Sequence, residues 1–391
     1  MKKEVYPPRE DSFLLKRNVK KLACGKVLDV GCGSGIQSKA ALKSKKTKKV
    51  ISVDLNENAL KETSKINDKR LKTIKSNLFS SLKKEHENSF DLILFNPPYL
   101  PKSNLDHHLD EGTRLATVGG IEGNEVINRF ITELNRFLKN DGKCLLLYSS
   151  KSNPIQIEKF MDYNLLNWKL IDSEKMEDDE ELYVVLIKKS NLLKRINKKH
   201  YVKFISKGKH SYIFLTEDKK LIKVTNGVSK GSIKTEFNIL KAIENSKFKE
   251  KINYPKPYYL DEKNQFLIRE YISGIEFNKK IEKIDKIKTK KILKQILTQA
   301  FYLDKIGINK KEMHRITKNV IITKNNIPYL IDFERSRKTN NPKNVTQFIS
   351  FLYKFIKKDI IKINEKELIK IAKKYSNKPD IKYINEILEK W

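Results

Sequence analysis

The sequence predicts an α/β chain: an open, mainly parallel sheet with a ligand site at the carboxyl ends of its strands, then a separate α+β region. Three observations carry this. Residues 26–54 read as strand, glycine turn, helix and strand, and end on an acid. Phe90 to Phe95 is an apolar run with one early acid that stops at Asn96-Pro97-Pro98-Tyr99. Near residue 190 the composition shifts. Residues 1–190 carry 34 Lys and Arg against 27 Asp and Glu, whereas residues 191–391 carry 48 against 21.

A chain of 391 residues is long enough for two or three domains with substantial cores. No run of 18 apolar residues occurs, so nothing is expected to span a membrane. The first eight residues lack the apolar segment of a signal peptide. Cys24, Cys32 and Cys144 are too few and too scattered for a disulfide framework or a metal cluster, and the six histidines show no ligand spacing. A soluble cytoplasmic protein in a reducing compartment is expected. The basic excess is mostly lysine beside abundant Ile and Asn. An AT-rich genome produces that composition, and so does a surface for RNA or an acidic partner. Scarce arginine argues against dedicated base readout.

The elements of the first domain, taken in order, begin with a helix from Glu10 to Ala23, carrying Phe13, Leu14, Val19 and Leu22 at helical spacing. Lys26 to Val30 is a strand, Gly31, Gly33 and Gly35 let the backbone pass close to a ligand, and Ile36 to Leu42 is a helix. Lys49 to Val53 is the second strand, and Asp54 at its end is placed to accept two ribose hydroxyls. The third glycine comes one residue early for a pyrophosphate turn, and a carboxylate at Asp29 would repel a pyrophosphate but suits a cationic ligand. A dinucleotide-binding Rossmann domain is the alternative. Lys72 to Ser76 is the third strand, with Asn77 at its end. Phe90 to Phe95 is a buried strand, and the prolines hold Asn96 extended at its carboxyl edge. Leu100 to Glu122 reads as a long lid or substrate-facing loop. Val126 to Leu138 is a helix, Lys143 to Tyr148 the fifth strand, and Trp168 to Ile171 and Tyr183 to Ile187 flank the acidic run 177–181, a solvated hairpin tip.

The glycine turn with Asp29 resembles the first motif of class I S-adenosylmethionine-dependent methyltransferases, a Rossmann-like fold with a seven-stranded sheet. Asn96-Pro97-Pro98-Tyr99 resembles the signature of methyltransferases acting on planar nitrogens, of glutamine or of adenine. Val5 to Phe13, the glycine turn, Ser76-Asn77-Leu78-Phe79, Asn96 to Pro101 and Gly119-Gly120-Ile121-Glu122-Gly123 fall in the order found in HemK-like glutamine methyltransferases. The resemblance covers residues 4–190 and is to the archaeal and eukaryotic branch, which methylates the Gly-Gly-Gln loop of translation release factors. It implies S-adenosylmethionine held by Asp29, Gly31, Gly33, Gly35, Asp54, Asn77 and Asn96. It also implies a small zinc-binding activator subunit. The Asn96 oxygen and the Pro97 carbonyl can accept the two amide hydrogens, and Tyr99 can stack on the planar group. No general base or metal is required.

Residues 191–199 read as a basic linker and 200–391 as the second domain. Strands at Tyr201 to Ile205, Tyr212 to Thr216 and Lys220 to Val224, a helix at Ile233 to Ile243 and a strand at Phe266 to Tyr271 precede a helix at Lys288 to Leu303. Met313 to Ile322 and Tyr329 to Glu334 follow, and two last helices complete the smaller lobe. This order resembles an atypical archaeal protein-kinase-like domain. The resemblance implies that Lys223 pairs with Glu236 and that Asn319 and Asp332 hold Mg²⁺ for ATP. The glycine loop is reduced to Gly208, and His314 stands five positions before Asn319, where a catalytic Asp is expected. Glu312 is the nearby carboxylate. Nucleotide binding with slow or no phosphoryl transfer is therefore expected. Adenine methylation of RNA or DNA, and a kinase-like scaffold, are the competing functions.

Overall fold

The computed structural model describes residues 5–104, 106–177, 179–197, 201–226 and 232–391. The chain forms two compact units, residues 1–204 and 205–391.

The first unit opens with α1 (Glu10–Leu22), β1 (Gly25–Val30), α2 (Ile36–Leu42), β2 (Thr47–Asp54), α3 (Glu57–Ser64), β3 (Leu71–Lys75) and β4 (Phe90–Phe95). Then come β5 (Leu100–Pro101), α4 (Glu111–Thr117), β6 (Val118–Gly120), α5 (Glu125–Phe137), β7 (Leu138–Ser149), α6 (Pro154–Tyr163), β8 (Leu166–Lys175), β9 (Glu181–Lys189) and α7 (Asn191–Ile196). Seven strands form one sheet in the order β3-β2-β1-β4-β7-β9-β8. Only β9 runs antiparallel to its neighbours. The central strands are sealed on both faces, which their near-continuous apolar runs require. Leu28, Ile93 and Leu146 are fully buried. Strand order reverses between β1 and β4, and a crevice opens at such a switch point, outside the carboxyl ends.

Three expectations need correction. The stretch 100–122 is not plain loop, for it holds α4 and the parallel pair β5–β6. Asp110 caps α4, its Oδ1 accepting from Gly112 N at 2.8 Å and Thr113 N at 3.2 Å. The expected linker begins as a helix: Ser190 Oγ accepts from Leu193 N at 3.1 Å, and Leu193 and Ile196 are buried. Its charge shift hid two apolar anchors; residues 198–200 lie outside the described residues. In the acidic run, where 178 also lies outside them, Glu180 is no solvated tip. It accepts from Ser149 Oγ and lies 3.6 Å from Lys151 Nζ.

The second unit holds most of the sheet β10-β11-β12-β14-β13, from β10 (Val202–Lys207), which starts in residues 202–204 of the first unit, β11 (Ser211–Thr216), β12 (Lys220–Thr225), β13 (Pro257–Asp261) and β14 (Phe266–Glu270). The helix α8 (Ser232–Glu244) lies in sequence between β12 and β13. After them come β15 (Ile275–Glu276), α9 (Phe277–Ile281), α10 (Lys286–Lys305), β16 (Ile308–Asn309), β17 (Val320–Ile322), β18 (Pro328–Leu330) and β19 (Arg337–Lys338). Helices α11 (Asn344–Ile356), α12 (Glu365–Asn377) and α13 (Ile381–Glu389) close the chain. The last two helices do not complete the sheet-bearing part as expected. Leu368, Ile371, Ile384 and Ile387 share one apolar core with α10 and α11, because their apolar stripes match that helical face.

Candidate functional site

At the carboxyl ends of β1, β2 and β4 lies a cavity of about 350 Å³, lined in part by Gly31, Gly33, Asp54, Asn77 and Asn96. Gly33 has φ +50°, and a Cβ there would meet no atom within 4 Å, so the turn presents bare backbone to the cavity. Its N–H donates to Asp54 Oδ2 at 3.0 Å, and Asn56 N donates to Asp54 Oδ1 at 2.8 Å. Burial raises the Asp54 carboxyl against the pull of these amides. Asn77 Oδ1 accepts from Arg129 Nη2 at 3.1 Å, joining two lining residues.

Asn96 is the pivot. Its Nδ2 donates to Asp11 Oδ2 at 3.0 Å. The opposite amide orientation would set two acceptors against each other, so the carboxylate fixes which way the oxygen points. Asn96 Oδ1 is buried with no hydrogen-bond partner among the described residues. A buried acceptor left unsatisfied costs about 1–3 kcal/mol, and such groups call for an explanation in terms of function or a missing ligand. Gln37 Oε1, in the same wall, is likewise buried and unpartnered, while Gln37 Nε2 donates to Ser12 O at 2.8 Å.

Four expected residues stand elsewhere. Asp29 is buried beneath the turn, not in the wall: Ser38 Oγ donates to its Oδ2 at 2.5 Å, and burial pushes its carboxyl up to about 7. Gly35 is the N-cap of α2, beside Thr63, and outside the lining. Pro97 is buried behind Asn96. Tyr99 packs on the core beside α1, and its hydroxyl engages Asp11, so its ring is not offered to the cavity for stacking. Burial and the neighbouring carboxylates Asp11 and Glu180 raise that hydroxyl. Sequence reasoning assigned no role to Asp11, Gln37 or Arg129. For Asp11 a signal existed: a carboxylate on the buried stripe of α1, with Leu14, Leu15 and Val19.

Residues 10–115 match the family described as Methyltransferase small domain. A Methanocaldococcus jannaschii protein assigned as a protein N5-glutamine methyltransferase is 41% identical over 150 residues, 38% of this chain and 73% of that protein. The chain belongs to the HemK-like N5-glutamine methyltransferases. Human methyltransferase HEMK2 is 31% identical over 170 residues, 40% of this chain and 78% of its own. A release factor glutamine methyltransferase of Rhodopirellula baltica is 32% identical over 130 residues, 31% of this chain and 43% of its own. The family's cofactor is S-adenosylmethionine. The residues present fit it, with an open glycine turn beside a carboxylate and unspent buried acceptors at Asn96 and Gln37.

This glutamine methyltransferase has a second cavity, of about 220 Å³, within residues 205–391, walled in part by Gly208, Lys223, Glu312, Asp332 and Glu334. Lys223 Nζ lies 2.7 Å from Glu236 Oε2 and 3.5 Å from Asp332 Oδ1, and it contacts Glu334 Oε1. Burial disfavours its charge, but the three carboxylates outweigh that and raise the ammonium above its ordinary value. Asp332 stands at φ +60° and its carboxyl is lowered: burial opposes, and Lys223 and Lys310 prevail. Asn319 is outside the wall, its Nδ2 donating to Glu312 Oε2 at 3.2 Å. His314 is exposed and also outside it. The expected Asn319–Asp332 pair is therefore not assembled in the cavity. Glu334 stands there instead.

Proposed function

We propose that residues 1–204 methylate the side-chain amide nitrogen of a glutamine in the Gly-Gly-Gln loop of a translation release factor. The observation that carries this is the orphaned, buried Asn96 Oδ1, aimed by Asp11. When bound, S-adenosylmethionine supplies a sulfonium methyl group. The glycine turn, Asp54 and Asn77 would hold it. An amide nitrogen is a poor nucleophile because its lone pair is delocalised into the carbonyl. Asn96 Oδ1 accepts one N–H of the target amide, which shifts electron density to nitrogen and orients the lone pair. Alignment of this kind is worth roughly 7–11 kcal/mol in oriented systems. The N5-glutamine methyltransferase relative at 41% identity favours protein amide over adenine. The family resemblance also makes a small zinc-binding activator subunit a partner. The test is mass spectrometry of a release factor incubated with enzyme and S-adenosylmethionine, beside Asn96→Ala. Methylation of the loop glutamine is expected, with Asn96→Ala losing transfer while cofactor affinity changes only a few-fold. Retained turnover in the variant would sink the assignment.

For residues 205–391 we propose a kinase-like domain that binds magnesium-ATP in the second cavity. The buried Lys223–Glu236 pair supports this reading, since it points an ammonium at the space where phosphates would lie. Asp332 and Glu334 add the hard oxygen donors that Mg²⁺ prefers.

A further inference from the structure

By sequence spacing the second cavity lacks a catalytic carboxylate, since His314 stands where one is expected. The folded chain supplies a different one. Glu312 lines the cavity beside Lys223 and Asp332. Its backbone stands at φ +77°, in the left-handed region that residues with a side chain rarely adopt. The chain is pinned on both sides of it. Lys310 N donates to Asn344 Oδ1 at 2.7 Å and Met313 N to Gln347 Oε1 at 3.2 Å. Lys310 Nζ, fully buried, donates to Asp332 O at 2.8 Å and so fastens this segment to the Asp332 loop. The carboxylate is held as well, with Oε2 accepting from Asn319 and Oε1 from Arg335 Nη1 at 2.6 Å. Its side chain keeps 36% exposure, enough for an incoming group to reach.

A surface ion pair needs none of this scaffolding and is worth little by itself. Backbone strain that the surroundings over-determine, under a cavity-facing carboxylate, is the arrangement of a pre-positioned catalytic group. The 3₁₀ turn Met313–Arg315 sits between Glu312 and Asn319 and stretches their separation from five residues to seven. That is why spacing alone points to His314.

Resting on the nucleotide-binding reading above, we propose that Glu312 is the catalytic carboxylate of a phosphoryl-transfer activity whose substrates are a magnesium-bound nucleoside triphosphate and a hydroxyl group. The hydroxyl oxygen bonds to the terminal phosphorus. The bond from that phosphorus to the bridging oxygen breaks, and its electron pair leaves on the nucleoside diphosphate. The hydroxyl proton passes to the Glu312 carboxylate and then to solvent.

The experiment uses the full chain with magnesium and γ-labelled ATP, reading autophosphorylation and hydrolysis together with Mg-ATP affinity by calorimetry. The wild type is expected to bind and turn over. Glu312→Gln is expected to keep Mg-ATP affinity within about threefold and to lose turnover about 100-fold or more. His314→Ala should match the wild type in both readouts. Should Glu312→Gln fail to fold, Glu312→Asp carries the same test through turnover lost without affinity lost. Unchanged turnover in the Glu312 variants, or a wild type that binds Mg-ATP without turnover, would each overturn the assignment. No Mg-ATP binding by the wild type would instead remove the nucleotide reading beneath it.

Discussion

Lys189, the last residue of β9, is 2% exposed, and its Nζ has no hydrogen-bond partner among the described residues. Burial, with Lys194 nearby, holds its pKa down to about 8. A lysine lowered on folding charges at a cost, so the penalty is fully present below pH 8 and fades as pH rises toward the unfolded value near 10.5. Lys189→Met is therefore expected to raise unfolding free energy at pH 7 by about 3 kcal/mol. The gain should shrink toward zero by about pH 10.5. Denaturant unfolding of both proteins at pH 7 and pH 10 measures it, and a gain of equal size at the two values would contradict the burial argument. At this same scale the sequence is least legible. Asp54 and Asn77 could be placed because each ends a strand, but nothing in the spacing reveals that Asp11 reaches Asn96 across 85 positions. Nor can spacing show which of Glu312 and His314 turns inward, since a single left-handed residue decides it.

Among elements, the insertion β5–α4–β6 leads into a turn packed closely on the segment that follows Asn96. Gly123 stands at φ +81°, and a Cβ there would come within 2.4 Å of the Tyr99 carbonyl oxygen. Gly123→Ala must therefore displace either its own turn or the segment that carries Asn96. Methyl transfer is expected to fall at least about tenfold, with a destabilisation of about 1–3 kcal/mol. Paired activity and melting measurements check this, and a variant with wild-type turnover would show that the two segments move independently. The sequence exposes elements whose apolar pattern is nearly continuous: α2 spans the predicted residues, and β4 is buried at every position but Asp91. It conceals α3, which buries only Ala59 and Thr63, and α6, which buries Ile157 and Met161. Two buried positions leave too little periodicity to read. The helix α4 buries only Gly112, and so its stretch reads as loop.

For the whole molecule, the main fact is that each unit has an apolar core of its own among the described residues. One lies among α1, α2 and the seven-stranded sheet, and the other among α10 to α13. Cooperative unfolding follows a shared core, so two calorimetric transitions are expected rather than one. Under the two proposed binding readings, S-adenosylhomocysteine should raise one transition and Mg-ATP the other, each by mass action. A single transition shifted by both ligands would show the units to be energetically coupled. The charge difference between the halves acts at this scale too. It bears on solubility and on encounter with acidic partners at low salt, not on the fold.

The unsatisfied oxygen of Asn96 has a bearing on how this chain can change over generations. On the proposed function, a group that weakens the empty protein and is relieved by a visiting amide is under two opposed selective pressures. Drift toward greater robustness would discard it early, by exchange for a residue content without a partner. Its retention therefore depends on the visitor. Among descendants of this chain, those that kept the fold but lost the substrate should show their first losses at position 96, while the glycine turn and the sheet beneath persist.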